Sequence, residues 1–331
     1  MDSLTHILVG AATGQVFSTK DDKFKPLIWG AIAGSLPDLD SLFQFFISPV
    51  NSMLSHRGLS HSLLLWAICS PLLALLINKI HKGNCQSYFK WLKISSIAWF
   101  SHIFLDVFNT YGTGIFEPFS HVRISIDAIN VVDFTFLIPL VISFVFFAFV
   151  LKKYKAKVVL ASLSLLFVLG FISFSMIRKN KTEHLLKTQL VELGISPKRI
   201  LTTPLPLSNF MWKIVAEDTN GYYSGVYSVI WKNKVNFEYL PKNNDLEQQL
   251  AAFDNFRQLK RFTKGWYTLN QKSENEIVLS DLRFSSLDNG KNVLEFLLRQ
   301  NENSLEVGRT APKRHITSGN IKNYFKQIVN P

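Results

Sequence analysis

The chain has 331 residues, of which 47% are hydrophobic and only 18% charged, and its formal net charge is +12. So few charges argue against an ordinary soluble protein, in which roughly a quarter of the residues are charged. Two cysteines without a CxxC pair exclude a disulfide framework. Long apolar runs fill residues 1–177, whereas residues 178–331 have a water-soluble composition. We therefore predict an α-helical polytopic membrane domain over 1–177 and a soluble α+β, mainly β, domain over 178–331.

The chain opens with two short apolar segments, residues 3–17 and 26–36, that are rich in small side chains. The first begins after Asp2 and Ser3, residue types that favour the start of a helix, so His6 is expected on its first turns. Each segment contains two glycines four positions apart, a spacing that lets two helices approach closely in a membrane. These pairs are Gly10 with Gly14 and Gly30 with Gly34.

Four longer apolar segments follow. Residues 131–151 and 158–177 each reach the roughly 20 residues that cross a bilayer. Residues 62–80 are also long enough, with Pro71 as a kink. Residues 88–108 show a helical apolar pattern that is interrupted by ionisable side chains.

The turn between the last two apolar segments, residues 152–157, contains four lysines. The positive-inside rule puts this turn in the cytoplasm and the soluble domain outside. Three further basic residues directly follow the last apolar segment, between positions 178 and 181. The charge pattern therefore leaves the side of the soluble domain open.

The C-terminal part alternates aromatic and polar residues, as is typical of strands. A hairpin turn is expected at Asn220-Gly221, within residues 211–231. Further strands are predicted over 235–240 and 277–284, and helices over 245–260 and 319–329.

Most of the chemistry-bearing residues lie in the first third of the chain, where six of the eight histidines precede residue 122. Two aspartates follow the end of an apolar helix, and two histidines stand just before the next long one. A further histidine and aspartate are four positions apart, so they share one helix face. The candidate ligands are His6, Asp38 or Asp40, His56, His61, His102 and Asp106.

Zinc-type ions bind imidazole nitrogens and carboxylate oxygens, with an open position in catalytic sites. The set is large enough for two ions with a bridging carboxylate, an arrangement that suits displacement at phosphorus. Arg57 presents a planar fork for a phosphate or carboxylate. Taken singly, His6 has an alternative explanation as a helix cap, and the two aspartates have one as turn formers. An ionisable pair inside an apolar helix lacks such an explanation, so the residues together favour a metal site.

The ordered motifs of residues 1–135 resemble those of the bacterial YdjM-type membrane-bound metal-dependent hydrolases. They are Met1-Asp2-Ser3-Leu4-Thr5-His6, Pro37-Asp38-Leu39-Asp40, His56-Arg57-Gly58-Leu59-Ser60-His61-Ser62, His102-x-x-x-Asp106 and Tyr111-Gly112-Thr113. That family is in turn similar to zinc-dependent phospholipase C and P1 nuclease, which are helical enzymes. The resemblance implies that His102 and Asp106 ligate zinc and that Asp106 bridges two ions. It further implies that His6, Asp40 and one of His56 and His61 complete the set.

We predict a multi-pass metal-dependent hydrolase of the inner (cytoplasmic) membrane. One or two zinc or manganese ions would activate water against a phosphoester or lipid-like ester. Asp38 is the expected general base and Arg57 the expected anion-binding group. The predicted partners are a small-molecule or lipid substrate and membrane lipid, and no nucleic acid, because the basic residues are dispersed. The predicted metal ligands are His6, Asp40, His56, His61, His102 and Asp106.

The main alternative is a non-enzymatic polytopic membrane protein, either a metal-ion carrier or a scaffold. A carrier would place ionisable groups deep on several helices, whereas here most candidate ligands lie near helix ends. A second alternative, an intramembrane metalloprotease, needs a His-Glu-x-x-His helix, and that string does not occur.

Overall fold

A computed structural model describes residues 1–45, 47–232, 234–286, 292–301 and 304–309. The helix predicted over 319–329 lies outside these residues. The chain divides into two compact units. The first comprises Met1–Phe45, Ser55–Ile126 and Val131–Ser175, and the second comprises Phe46–Leu54, Asp127–Asn130 and Met176–Pro331. The predicted boundary at residue 177 falls inside a continuous helix and stays a prediction.

The first unit consists mainly of six helices joined so that neighbours run in opposite directions. The helices in this part of the chain are α1 (Ser3–Val16), α2 (Lys25–Ser35), α3 (Pro49–Ser55), α4 (Leu63–Ile80), α5 (Cys85–Val107), α6 (Phe134–Val145) and α7 (Tyr154–Glu192). Helix α3 lies largely in the second unit. A π-helical turn, Phe146–Val150, extends α6. Two 3-10 segments, Leu36–Phe45 and Leu59–His61, follow α2 and precede α4.

Helices α1 and α2 touch through their glycines. A Cβ atom added to Gly10 would lie 2.3 Å from the carbonyl oxygen of Gly30, and one added to Gly30 would lie 2.2 Å from that of Gly10. Any larger side chain would therefore force the two backbones apart. Near the beginning of α1 and the end of α2, a Cβ on Gly34 would meet the His6 carbonyl oxygen at 2.7 Å. The predicted close approach is confirmed, and it brings His6 next to the segment that carries the two aspartates.

Two of the described helices, α4 and α7, are long and apolar enough to cross a membrane, with mean hydropathies of 2.0 and 2.4. The predicted segment 62–80 corresponds to α4, and 158–177 lies within α7. The segment 131–151 forms a shorter apolar helix, Phe134–Val150. Large apolar side chains such as Leu72 and Leu166 are more than half exposed on α4 and α7. Exposed apolar surface of this extent is typical of a lipid-facing or interaction surface, but the number of spans stays a prediction.

The second unit contains two four-stranded antiparallel sheets, of order β1-β2-β3-β4 and β5-β6-β7-β8. Its strands are β1 (Arg199–Pro204), β2 (Met211–Glu217), β3 (Gly221–Ser228), β4 (Glu238–Pro241), β5 (Tyr267–Ser273), β6 (Glu276–Ser285), β7 (Asn292–Gln300) and β8 (Leu305–Arg309). Helices α8 (Asn244–Leu250) and α9 (Asp254–Phe262) connect the sheets along the chain. The end of α7 packs on the first sheet through Leu186 and Leu190, both 0% exposed.

The predicted hairpin is confirmed, since β2 pairs with β3 in a register that sets Glu217 opposite Tyr222. The strand predicted over 277–284 is confirmed as β6, and the helix over 245–260 is confirmed as α8 and α9 with a short break. The strand over 235–240 begins only at Glu238. The pattern did not indicate β1, β5, β7 and β8.

Candidate metal centre

The predicted ligands meet at one end of the first unit. The beginnings of α1 and α4 and the ends of α2 and α5 come together there. His6 lies on α1, Asp38 and Asp40 on the 3-10 segment after α2, and His56 and His61 before α4. His102 and Asp106 occupy the last turns of α5, with their side chains on one face as predicted. Ser62 caps the start of α4 by accepting the Leu65 N–H at 3.1 Å, which ends the histidine loop at a defined point.

Four side chains form the tightest group. One ligand atom each of Asp38, His61, His102 and Asp106 lies within 4.8 Å of all the others. The Nε2 atoms of His61 and His102 are 3.0 Å apart. Asp106 Oδ2 lies 3.2 Å from His61 Nε2 and 3.5 Å from His102 Nε2. Three of the four residues are fully buried, and Asp38 is half-buried.

The two histidines of this group are held with their Nε2 atoms turned toward each other. His102 Nδ1 donates to the Gly34 carbonyl oxygen at 2.6 Å. His61 Nδ1 lies 2.8 Å from Ser60 Oγ, whose hydroxyl donates to Asp40. Each ring therefore carries its proton on Nδ1 when neutral and presents a lone pair on Nε2. Second-shell bonds of this kind orient metal-binding histidines, and the two Nε2 atoms, 3.0 Å apart, can share either one proton or one cation.

A second group consists of Asp38, Asp40 and His56, and it shares Asp38 with the first. Its side chains are more accessible, with exposed fractions of 14% for Asp38 and 27% for His56. The shared carboxylate makes Asp38 the residue best placed to bridge two ions. The family resemblance implied instead that Asp106 would bridge.

Asp40 already accepts several hydrogen bonds from the histidine loop. His56 Nδ1 donates to it at 2.7 Å, the Arg57 backbone N–H at 3.0 Å, and Ser60 Oγ also donates. These donors hold the loop in a shape that puts Arg57 at a positive φ of 60°. Asp40 therefore orients the histidines, whereas Asp38 supplies the more open carboxylate. The predicted assignment, with Asp40 as ligand and Asp38 as base, stays a prediction.

His6 stacks on His102 with ring centroids 3.6 Å apart. Its Nε2 lies 3.3 Å from Asp106 Oδ1, and neither ring nitrogen has a hydrogen-bond partner among the described residues. Buried polar atoms without partners are rare in proteins. The two ring nitrogens of His6 therefore fit a site built for a cation.

Arg57 is buried and engaged within the protein. Its Nε lies 3.1 Å from Asp106 Oδ2, and its Nη1 donates to Asn109 Oδ1 at 2.7 Å. The guanidinium also stacks over the Tyr111 ring at 5.0 Å. Arg57 thus holds Asp106 in place, and the proposed contact of its fork with a substrate anion stays a prediction.

Asn109, Tyr111 and Arg123 lie outside the predicted ligand and catalytic set but also support the centre. Asn109 links Arg57 to Asp106, whose Oδ1 accepts from Asn109 Nδ2 at 3.3 Å. The guanidinium groups of Arg57 and Arg123 both lie over the Tyr111 ring, at 5.0 Å and 5.4 Å from its centroid. Arg123 donates to the His56 carbonyl oxygen at 2.6 Å. The position of Asn109 seven residues after His102 and the Tyr111-Gly112-Thr113 motif were the available signals, whereas nothing in the sequence pointed to Arg123.

The electrostatics favour metal binding. Burial lowers the pKa of His61, but hydrogen bonds with Asp106, Asp38 and Asp40 outweigh it and raise that pKa to about 9. Burial raises the pKa of Asp38, but its contacts with His102 and His61 hold it well below the usual value. The same balance, with His56 and His61, lowers the pKa of Asp40. The carboxylates are thus ionised, and a proton on His61 stands where a cation would bind.

A family model described as YdjM inner membrane protein matches residues 1–181. A curated relative, "Uncharacterized protein YfhP" of Bacillus subtilis (strain 168), is 24% identical over 309 residues, which cover 86% of this chain and 88% of that protein. No solved structure matches the chain, so the predicted similarity to phospholipase C and P1 nuclease gains no support.

Proposed function

Since the chain belongs to the YdjM inner membrane protein family, we propose that its first unit is a membrane-embedded, metal-dependent hydrolase. It would bind one or two divalent ions, zinc or manganese, and cleave a phosphoester or a lipid-like ester. The protein would cross the inner membrane several times, because helices α1, α2, α5 and α6 pack with the two apolar helices of spanning length. The family match supports the membrane location, and the geometry of the centre supports the metal.

The observation that carries the proposal is the convergence of Asp38, His61, His102 and Asp106 within 4.8 Å. Two imidazoles and two carboxylates are a ligand set that zinc and manganese accept. Arg57 and the Met1 amino group face Asp106, but burying Asp38 and the Nε2 atoms of His61 and His102 against one another without a further proton or cation is costly. Because the sharing of Asp38 with a second group leaves room for a second ion, two-metal chemistry is the favoured form.

A bound divalent ion would lower the pKa of a water molecule and polarise the ester. The protein's own residues would do the rest. Gly34 and Ser60 fix the rings of His102 and His61, and Arg57 fixes Asp106. The half-exposed side of the centre, formed by Asp38 and His56, is where a substrate would enter. The low pKa of Asp38 makes it a better ligand than proton acceptor.

A metal-ion carrier is less well supported. Carriers place ionisable groups at the membrane midplane, whereas the middle turns of these helices contain no Asp, Glu, Lys, Arg or His. This holds for residues 7–19, 26–37, 62–78, 94–101, 134–151 and 158–177. The ionisable groups are confined to the two ends of the helices, which favours chemistry at one face.

The metal proposal is tested by measuring bound metal in the purified protein. Wild type in detergent, after supplementation with zinc and manganese, should contain one or two ions per chain by mass spectrometry. His102→Ala and Asp106→Asn should reduce the content to background. A matched control is His121→Ala, because His121 is 66% exposed and pairs with Glu117 outside the centre. Background metal in wild type, or equal metal in all variants, would refute the proposal.

The hydrolase proposal needs its own test. Wild type reconstituted in lipid should release product from at least one of a panel of phosphomonoesters, phosphodiesters and phospholipids. Removal of metal by a chelator should abolish release, and His61→Ala should do the same. If the protein binds its full complement of metal but hydrolyses no compound of the panel, the hydrolase proposal is wrong, whereas the metal proposal stands.

A further inference from the structure

The lysines of the first unit are distributed unevenly. Residues 1–177 contain eleven lysines, and every one of them lies in or next to a loop that faces away from the metal centre. Nine are exposed, and Lys90 and Lys157 are half-buried. We call this set the lysine collar. Its members are Lys20, Lys23, Lys25, Lys79, Lys82, Lys90, Lys93, Lys152, Lys153, Lys155 and Lys157.

Side-chain contacts join the three loops of the collar at one end of the unit. Tyr154 at the start of α7 donates to the carbonyl oxygen of Ser18, which follows α1, at 2.6 Å. Trp29 on α2 donates to His81 Nε2, after α4, at 2.8 Å. Lys90 on α5 lies 2.6 Å from Asp22, between α1 and α2. The loops between α1 and α2, α4 and α5, and α6 and α7 thus form one continuous basic surface.

The opposite end has the reverse character. In the described part of the first unit it carries no lysine, and its two arginines, Arg57 and Arg123, are only 3% and 7% exposed. Its ionisable groups include Asp38, whose side chain is 14% exposed. Within residues 1–177 the lysines are therefore confined to the collar end, and on α7 the next basic residues, Arg178, Lys179 and Lys181, follow in the second unit.

The separation of the two ends matches a bilayer. At 1.5 Å per residue, α4 is about 27 Å long and α5 about 35 Å, close to the ~30 Å hydrocarbon core. Aromatic side chains that suit the headgroup level accompany the collar, among them Tyr88 and Tyr154. A groove of about 430 Å³ opens there, lined by Phe17, Phe89 and Lys93. Apolar and basic side chains in one groove match the boundary between acyl chains and anionic headgroups.

We propose that the lysine collar binds the anionic headgroups of the cytoplasmic leaflet, so that the metal centre opens on the other side of the membrane. Lysines near an anionic membrane surface are attracted to it, and lysines and arginines are retained on the cytoplasmic side during insertion. The proposal does not depend on bound metal. In this orientation the substrate reaches the centre from the extracytoplasmic side, either from solution or from the outer leaflet.

Native Cys85 lies in the collar end and is exposed, which makes it a reporter of orientation. In a Cys69→Ser background, a membrane-impermeant maleimide should label Cys85 in inverted vesicles but not in intact spheroplasts. A Phe119→Cys variant, which also carries Cys85→Ser, reports the centre end, because Phe119 is 83% exposed. It should be labelled in spheroplasts. Leu39→Cys at the same end, with Leu39 52% exposed, is the substitute if that variant does not fold.

The opposite labelling pattern, or equal labelling of both ends in both preparations, would overturn the proposal. Loss of the metal centre leaves these labelling patterns unchanged, so failure here and failure of the proposed function are distinguishable.

The lipid contact is tested with a collar variant. Wild type in nanodiscs of phosphatidylglycerol should unfold at a higher temperature than in phosphatidylcholine. Replacing Lys152, Lys153, Lys155 and Lys157 by Gln should remove at least half of that difference. The control replaces Lys187, Lys232, Lys242 and Lys272 of the second unit by Gln. It should preserve the difference in unfolding temperature between the two lipids. An equal effect of both sets, or an equal stabilisation by free inorganic phosphate, would contradict binding to a lipid surface.

Discussion

Each of the two units buries a cluster of charged side chains, and the two clusters differ in how their charges are balanced. In the second unit, Asp281 and Arg283 are 0% and 2% exposed and face each other, with Arg283 Nη2 donating to Asp281 Oδ2 at 2.7 Å. Lys213, on β2, donates to Asn292 Oδ1, on β7, at 2.7 Å. In the first unit, His6 and Asp106 retain buried atoms without hydrogen-bond partners.

The difference separates a cluster that is satisfied internally from one that could hold a metal ion. Asp281 and Arg283 satisfy each other through a two-pronged contact, so the pair needs nothing from outside. In the first unit, Arg57 and the Met1 amino group face Asp106, but Asp38 and the Nε2 atoms of His61 and His102 still converge and need a proton or a cation between them. Burial of charge therefore does not by itself indicate function, whereas converging imidazole nitrogens and carboxylates indicate a candidate cation site.

The largest expected effect comes from breaking the balanced pair. Asp281→Ala leaves the Arg283 charge buried and should lower the free energy of unfolding of the second unit by ~3–5 kcal/mol. Denaturant unfolding in detergent measures the loss. The matched control is Asp254→Ala, because Asp254 and its partner Arg257 are 81% and 61% exposed, and its effect should stay below ~1 kcal/mol. The bound metal content should be unchanged in both variants. If the Asp281→Ala protein that stays folded in detergent loses its metal, the two clusters do not have separate roles.

The second prediction concerns Lys213. Burial lowers the pKa of Lys213 from 10.5 to about 7 in the folded protein. Between these values the unfolded chain binds a proton that the folded chain has released, so stability should rise with pH from about 7 to about 10.5, by roughly 3–5 kcal/mol. Unfolding free energies at pH 7 and pH 9.5 test this. Lys213→Met should remove the slope, and a slope that persists in that variant would assign it to other groups.

The third prediction concerns the orienting shell of the metal centre. Ser60 links Asp40 to His61 Nδ1, so Ser60→Ala should weaken metal affinity by roughly 10–100-fold without removing a ligand. Competition with a chelator of known affinity gives the value. Ser101→Ala is the control, because Ser101 bonds only within its own helix in the described contacts, to the Ala98 carbonyl oxygen. If Ser60→Ala and Ser101→Ala bind metal with equal affinity, Ser60 does not orient His61.

The smallest expected effect is the pH dependence of metal binding. A pKa of about 9 at His61 means that a proton must leave before Nε2 can bind a cation. Metal affinity should therefore rise roughly tenfold per pH unit up to about 9, with about one proton released per ion. Metal titrations at pH 7 and pH 8 in two buffers of different protonation enthalpy measure the proton. A pH-independent affinity would show that His61 is not a ligand.

Much of the local structure followed from the sequence. The Asp2 cap, the glycine spacings and the i, i+4 relation of His102 to Asp106 are properties of short segments, and each is found as predicted. The Asn220-Gly221 hairpin is of the same kind. The strands β5 and β7 were missed because their alternation of apolar and polar residues is weak, and pairing with β6 holds them in the sheet.

The details of the candidate centre were less predictable. Asp38 and Asp40 are two positions apart in one polar segment, and only their contacts separate the shared, half-buried Asp38 from the hydrogen-bonded Asp40. Arg57 lies between two histidines in sequence, yet its guanidinium bonds to Asp106 and Asn109. Such assignments depend on distances between segments that are far apart in the sequence, as Arg57 and Asn109 are by 52 residues.

The sequence by itself determined that the first 177 residues form apolar helices, that histidines and aspartates stand near their ends, and that the last part contains strands. It did so because hydrophobic periodicity, capping residues and turn residues act over a few positions. Only the tertiary structure decided which side chains share a centre, which of them orient the others, and that all eleven lysines of those 177 residues lie at the far end. Antiparallel packing of the helices, made possible by the glycine contacts of α1 and α2, turns a scattered sequence pattern into two chemically opposite ends.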